Sequence, residues 1–475
     1  YRSSMMGGGH QVVTVEIEEL YDQFAWGIDK HPMSIKNLIN LALDNWGIDL
    51  KHVFLVGKGV RYDKTRFNNI NYNDCLVPSY GYIPSDLMFT TYDTQNYYPY
   101  VAIGRIPATS AKNVFDYLDK VKKHEGWFKY TDCDQIKDRE WMKNTLHISK
   151  GWGNTETDGF TENLDEYEAT VSAENFGYDV LMTIEDTWGP VPNDTTNWHG
   201  DHPIVGELME EGLGFINYVG HSAGDENYWQ FDMQHPSQYD NDCQYPFILS
   251  NSCFVGKLNE PLQGVSGVDS TGSMAGDYVL MPEGGAVGFL AAVALSSPGF
   301  LHIFSSQFME NLSVNHYGES IGQNIMYTVQ DIYDPNDAGI RIVCNEFSLA
   351  ADPAIEMFNW AEPELLIESA DVVCKKPDGS IIGVGEELDP AFIDEVTFEV
   401  TVHNYGRTID TDIVINVTLY SALGNVIYSQ DHNVPCPSLK ETYEITMPLT
   451  GIPAGGLNDV VITVDGNDAH AEDCE

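Results

Sequence analysis

Two short apolar runs in the chain stop at side chains able to do chemistry. Gly214-Phe215-Ile216-Asn217-Tyr218-Val219-Gly220 ends at His221, and Pro246-Phe247-Ile248-Leu249-Ser250-Asn251-Ser252 ends at Cys253. A thiol attacks a carbonyl well only as thiolate, and its ordinary pKa near 8.5 leaves only a few per cent ionised at neutral pH. A nearby imidazole corrects that by taking the thiol proton, and later delivers a proton to a leaving amine. The backbone amides of Ser222 or Ala223, and of Cys253, are placed to face the oxyanion that such an attack creates. Each residue alone has a plainer reading, a buried free cysteine or a hydrogen-bonded structural histidine. The pair, with a glycine before the histidine and polar loops after both, favours chemistry.

The elements that position this pair are strands of a buried sheet. Both runs are short, rich in aromatic and β-branched residues and flanked by Gly or Pro, as in strands covered on both faces. Sites in open α/β sheets are built at the carboxyl ends of strands, where adjacent strands bring two such residues to one crevice.

Composition narrows the classes. At 475 residues the chain exceeds one ordinary domain. Its 43% hydrophobic and 12% aromatic content is that of a folded protein. With 24 Lys+Arg against 72 Asp+Glu, a net charge of −48, the balance argues strongly against nucleic acid or an anionic membrane as partner. The acids are spread along the chain, as on a solvated surface suited to high salt. Calcium is the functional competitor, because Asp331, Asp334, Asn336 and Asp337, or Asp465, Asn467 and Asp468, offer the oxygen ligands that hard cations take. The 8 cysteines form no CxxC pair and no zinc pattern, and pairing such as Cys374 with Cys436 suits an oxidising compartment. The longest apolar stretch, Ala286 to Leu295, is about half of a membrane-spanning length. A start at Tyr1 without Met reads as a processed piece or fragment.

In chain order, residues 1–140 alternate helix and strand. Ser34 caps a helix stopped by Gly47, Val53–Val56 is a strand ending at Gly57, Tyr100–Ile103 is another, and Thr109 or Ser110 caps the next helix. Residues 141–362 form a second α/β unit. It has strands at Leu146–Ser149, Asp179–Met182, before His221, before Cys253 and at Gly285–Ala292, and helices over 161–176, 204–211, 300–312 and 320–329. From 363 to 475 the pattern becomes period two, as in Val396, Phe398, Val400 and Val402, which predicts an immunoglobulin-like β-sandwich.

At this point the residues carry a resemblance. Asn217-Tyr218-Val219-Gly220-His221-Ser222, Pro246-Phe247-Ile248 with Cys253, and Phe347-Ser348-Leu349-Ala350-Ala351-Asp352-Pro353 resemble the gingipain family of cysteine peptidases, peptidase family C25, in order and in spacing. The resemblance implies a caspase-like α/β catalytic domain in two subdomains with mainly parallel sheets, followed by an immunoglobulin-like domain. It implies Cys253 as nucleophile and His221 as base and acid, with no cofactor required for the chemistry. The family's His-Gly is His221-Ser222 here. Its acidic third residue has no counterpart at the most direct alignment of Lys150 to Asp158, so Glu156 and Asp158 are the nearest candidates for a third acid or a specificity residue. Trp229 stands where the family has a tryptophan after its histidine loop, as a pocket wall or as core.

Leu20-Tyr21-Asp22-Gln23-Phe24, Val56-Gly57, Leu76-Val77-Pro78, Ser85-Asp86 and Ile103-Gly104-Arg105-Ile106-Pro107 are similar to the family's sortase branch in the type IX secretion system. That branch implies a place at the bacterial outer surface, protein substrates whose C-terminal sorting signals are removed, outer-membrane secretion components as partners, and a lipopolysaccharide acceptor. The alternatives are a secreted endopeptidase of the same kind and a non-catalytic surface or adhesion scaffold.

Overall fold

The computed structural model describes the chain apart from residues 47–49, 67, 94–95, 127–132, 173–174, 188–202, 224–227, 232, 262–270, 358–359, 384, 387–391, 453–457 and 466–475. Two compact units result, one of Tyr1–Tyr130, Trp141–Val171 and Val180–Asn359, the other of Thr131–Glu140, Ser172–Asp179 and Trp360–Glu475.

In the first unit the chain runs α1 (Ile17–Phe24), α2 (Met33–Asn45), β1 (His52–Val56), α3 (Tyr62–Thr65), α4 (Asn69–Asp74), β2 (Ala102–Ile106), α5 (Ala111–Gly126) and β3 (Asn144–Gly151). It continues through α6 (Asn154–Val171), β4 (Asp179–Thr187), α7 (Pro203–Glu211), β5 (Phe215–Gly220), the two-residue strands β6 (Ser222–Ala223) and β7 (Tyr228–Trp229), and β8 (Phe247–Asn251). It closes with α8 (Met274–Leu280), β9 (Gly288–Ala292), α9 (Pro298–Glu310), α10 (Ile321–Ile332), α11 (Ala338–Glu346) and β10 (Phe347–Ala350). Eight strands make one sheet in the order β1-β2-β10-β9-β8-β5-β3-β4. Strands β3, β5, β8 and β9 are mutually parallel, as are β1, β2 and β10, and the antiparallel pairing of β10 with β9 joins the two groups. Every residue of β5, β8 and β9 is buried, as the uninterrupted apolar runs require.

Several boundaries depart from the sequence reading for local reasons. Helix α2 starts at Met33, whose N–H donates to His31 Nδ1 at 3.2 Å, so the Ser34 hydroxyl lies inside the first turn and donates to the His31 carbonyl at 2.8 Å instead of capping. Gly47 lies outside the described residues. Strand β2 is displaced toward Ile106 because its ladder with β1 runs from His52↔Ala102 to Val56↔Ile106. Ser110 caps α5, its Oγ accepting from the Asn113 N–H at 3.3 Å. Helix α6 starts at Asn154, well before residue 161, and ends at Val171. The reason is a one-sided cap: Glu156, in the first turn, accepts the Trp152 N–H at 2.7 Å.

The second unit contains β11 (Leu365–Leu366), β12 (Val372–Lys375), β13 (Glu395–Asn404), β14 (Ile413–Ser421), β15 (Val426–Val434), β16 (Lys440–Pro448) and β17 (Asn458–Val464). One antiparallel sheet has β13 between β16 on one edge and β11 with β12 on the other; a second has the order β15-β14-β17. Val396, Phe398, Val400 and Val402 of β13 interlock with Ile413, Ile415, Val417 and Leu419 of β14 in one core, as the period of two predicts for a β-sandwich. No disulfide joins Cys374 to Cys436. Cys374 pairs with Phe398, whereas the Cys436 sulfur accepts from the Asn404 side chain at 3.6 Å. Asn404 is six residues further along β13, a distance of ~20 Å along the strand that no disulfide spans.

Candidate active site

Strands β5, β8 and β9 lie side by side and parallel, so the loops that follow them emerge at one end of the sheet. His221 follows β5, Cys253 follows β8, and residues 293–297 follow β9. The loops are tied by backbone bonds, Phe254 N–H to Ala294 C=O at 3.1 Å and Gly256 N–H to Ala292 C=O at 2.9 Å. Gly220 is needed where the first of them turns, because a Cβ there would stand 2.6 Å from the Tyr218 hydroxyl and 2.8 Å from the Lys150 carbonyl. Both His221 and Cys253 line the cleft so formed, about 270 Å³ in volume, together with Trp152, Phe160, Asn163, Leu295 and Leu301 among others.

The imidazole is held on several sides. Its Nε2 lies 3.2 Å from Glu156 Oε2, an ion-pair distance without the alignment of a full hydrogen bond. The Trp152 indole stacks on it at 4.3 Å between centroids with 18° between planes, and Phe160 meets it edge-on at 5.8 Å. Trp152 is itself fixed, its Nε1–H donating to Gln230 Oε1 at 3.3 Å while the Gln230 N–H donates to the His221 carbonyl at 2.9 Å. Burial by itself would raise the Glu156 carboxyl, but the Trp152 N–H and the His221 ring outweigh it and hold the group below its ordinary value. Of the two candidate acids, the structure brings Glu156 to the histidine, from a helix turn rather than a free loop. Asp158 is exposed and does not line the cleft.

The thiol of Cys253 makes its hydrogen bonds with Ser296. The Ser296 N–H donates to Sγ at 3.4 Å, and the S–H donates to the Ser296 carbonyl at 3.6 Å. Burial raises the thiol above its ordinary value and the Glu346 charge adds to that, while the Ser296 N–H offsets part of it. The resting sulfur is therefore a neutral thiol, and no hydrogen bond joins it to the imidazole across the cleft. The Ser222 hydroxyl donates to the Cys253 carbonyl, which ties the histidine loop to the cysteine loop. Trp229 belongs to the core: 5% exposed, stacked on Tyr218 at 4.2 Å, it donates its Nε1–H to Ser250 at 2.8 Å and lies outside the cleft lining.

Sequence reasoning did not reach Trp152, Gln230, Ser296 or Glu346. Trp152 carried a signal, an aromatic residue just before a helix cap in the loop searched for an acid; the other three carried none. The acids considered for calcium have local uses. Asp337 caps α11 by accepting from the Gly339 and Ile340 N–H groups, Asp334 accepts from the Asn336 N–H, and Asp331 accepts from Asn311. Among the described residues no group of three or more His, Cys, Asp or Glu is placed to hold a metal ion, and Asn467 and Asp468 lie outside them.

A thiol and an imidazole at neighbouring strand ends of a mostly parallel sheet, with a carboxylate behind the imidazole, make the layout of a cysteine peptidase. The chain belongs to peptidase family C25, whose model matches residues 1–358. No curated protein sequence matches the chain. The fold is similar to the crystal structure of the Arg-specific cysteine proteinase gingipain R, at 15% identity and a TM-score of 0.50 over 91% of this chain and 85% of that one. It is similar too to the complex of Porphyromonas gingivalis RgpB pro- and mature domains, at 16% identity and 0.51 over 97% and 92%. A third likeness is to the structure of a protease, at 11% identity and a TM-score of 0.50 over 92% of this chain and 96% of that one.

Proposed function

We propose that the protein is a peptide-bond-cleaving enzyme in which Cys253 is the nucleophile, His221 the base and acid, and Glu156 the residue that orients the imidazole. The observation that carries this reading is the single cleft lined by Cys253 and His221 at the ends of β5 and β8, with Glu156 Oε2 3.2 Å from His221 Nε2. Since Nε2 faces the carboxylate, Nδ1 is the nitrogen left for exchange with the thiol. His221 takes the thiol proton as the sulfur attacks the substrate carbonyl, forming the C–S bond. The oxyanion faces the backbone amides of Ser222 or Ala223 and of Cys253. Collapse of the intermediate breaks the C–N bond, and the amine leaves with the proton from His221. Water or a second amine then opens the thioester, giving hydrolysis or transpeptidation. No cofactor enters these steps.

Within the family we place the protein in the type IX secretion sortase branch, typified by PorU. There it acts at the bacterial cell surface, removes C-terminal sorting signals from cargo and transfers the new carboxyl end to a lipopolysaccharide amine. The support is the likeness of the N-terminal segments. Three of them meet at Arg105, whose guanidinium donates to both Asp86 oxygens at 2.8 Å and to the carbonyls of Gly57, Val77 and Pro78 at 3.0, 3.0 and 3.1 Å. The test is Cys253→Ala in the host. Accumulation of unprocessed, unattached cargo is expected, whereas undiminished processing and attachment would sink the sortase role. Purified protein that cleaves cargo but never joins it to an amine points to a plain endopeptidase.

A further inference from the structure

Behind Ser296, which lines the cleft, lies a second carboxyl that the proposed reaction does not use. Glu346 is the last residue of α11 and only 2% exposed. Its Oε2 accepts the Ser296 hydroxyl at 2.5 Å, and its backbone carbonyl accepts the Val293 N–H at 2.8 Å. Ser296 in turn grips the nucleophile from both sides, its N–H on Sγ at 3.4 Å and its C=O receiving the S–H at 3.6 Å. The register of β10 on β9, Phe347↔Ala292, fixes Glu346 beside the loop that carries Ser296. Burying a carboxyl at a helix C-terminus is costly, because desolvation and the helix dipole both oppose its charge. A glutamine would accept the same hydroxyl without that cost.

We propose that Glu346 is a positioning residue for the nucleophile: its carboxyl fixes Ser296, Ser296 cradles the Cys253 sulfur, and charge on the carboxyl works against ionisation of that sulfur. The proposal deepens the peptidase reading and rests on Cys253 being its nucleophile. Burial lifts the Glu346 carboxyl to about 7, with the Ser296 hydroxyl opposing the shift, so its charge changes in the neutral range. The ionisable group whose field includes Glu346 is the Cys253 thiol beyond Ser296. Around the carboxyl, β9 and β10 carry no titratable side chain, α11 carries Arg341 and Cys344, and α9 carries His302 and Glu310. When Glu346 is neutral the thiolate forms more readily. When it is charged the nucleophile is held back, so the Ser296 bridge couples the two groups.

The experiment measures the rate at which iodoacetamide alkylates Cys253 in the full chain from pH 6 to 10, resolved from the other cysteines by peptide mapping. Glu346→Gln keeps an acceptor for the Ser296 hydroxyl and removes the charge. Its midpoint is expected at least half a pH unit below that of the parent protein, ~3-fold faster labelling on the rising limb. An unmoved or raised midpoint overturns the proposal. Ser296→Ala, a substitution too small to unfold the chain, removes the donor that favours the Glu346 carboxylate. It is expected to speed labelling at pH 7.5, and an equal or slower rate overturns the proposal as well. Alkylation does not require peptide turnover. A shifted midpoint in a protein that cleaves no peptide would refute the peptidase reading and leave the coupling standing.

Discussion

The Glu156 carboxylate faces His221 Nε2 at 3.2 Å from the first turn of α6, where the same Oε2 also caps the Trp152 N–H at 2.7 Å. One side chain thus sets both the helix start and the orientation of the imidazole. Glu156→Gln keeps an oxygen for the cap and loses the charge behind the ring. The expected result is a fall in kcat of order 10²-fold with little change in KM or in folding, read from peptide turnover and circular dichroism. Because the carboxyl is held below its ordinary value, it stays ionised through the neutral range, so the acid limb of activity belongs to other groups.

The cleft lining predicts what side chain it accepts. Phe160, Leu295, Pro298 and Leu301 are apolar, Asn163 is neutral, and among the described residues no aspartate or glutamate lines the space. Binding an arginine or lysine there would strip water from a cation without supplying a counter-charge. Substrates with an uncharged residue on the acyl side of the cut bond are expected to exceed arginine or lysine ones by ~10²-fold in kcat/KM. A fluorogenic peptide library checks this; preference for arginine would refute it.

Ser222 directly follows His221, and its hydroxyl donates to the carbonyl of Cys253. Ser222→Gly deletes that tie and frees the backbone. The expected loss is ~1 kcal/mol of stability, seen as a lower thermal midpoint. The backbone amides proposed for the oxyanion remain, so catalysis is expected to persist.

Arg105 and Asp86 form a buried two-point ion pair, 0% and 4% exposed at their side chains. Arg105→Met leaves a buried carboxylate and three carbonyls without their donor. A loss of ~3–5 kcal/mol in denaturant unfolding is expected. Arg105→Met with Asp86→Asn should recover part of it, since the stranded charge is gone, and no recovery would place the cost in the carbonyls alone.

How much of this was legible in the sequence depends on the scale of the cause. The runs before His221 and Cys253 were readable because continuous apolar residues between turn formers have few alternatives to a buried strand, and β5 and β8 are buried throughout. The alternation in β13 and β14 announced the sandwich for the same reason. Glu156 was readable only as one of two candidates, because its role depends on where α6 starts, and that is set by its own bond to the Trp152 N–H, which propensity does not fix. Ser296 and Glu346 were invisible. They reach Cys253 only through the pairing of β8, β9 and β10, a contact between residues 43 and 50 positions apart in sequence. Trp229 stayed open between pocket wall and core because an aromatic residue near a catalytic loop looks the same in sequence whether it faces the cleft or, as here, the core.

The buried lysine Lys120 gives the stability of the first unit a pH dependence whose sign is fixed. Its ammonium donates to the carbonyls of Tyr278, Val279 and Ala286 at 3.3, 3.0 and 3.2 Å, and burial lowers it to about 7. The unfolded chain holds that proton up to ~10.4, so between those values the unfolded state binds more protons and stability rises with pH. Below 7 the contribution is lost and flat. Lys36 and Lys58 act in the same direction but only above about 8. Glu346, raised to about 7, acts oppositely and has lost its contribution by then. Over pH 7 to 8 Lys120 adds to the tail of the buried histidines His52, His124 and His147, whose lowered values act in the same direction, so the difference between the parent and a Lys120 variant isolates it. Urea unfolding of the parent protein is expected to show a higher midpoint at pH 8 than at pH 7, and Lys120→Met to flatten that rise whatever its overall stability. A rise of equal slope in the variant would assign the pH dependence to another group.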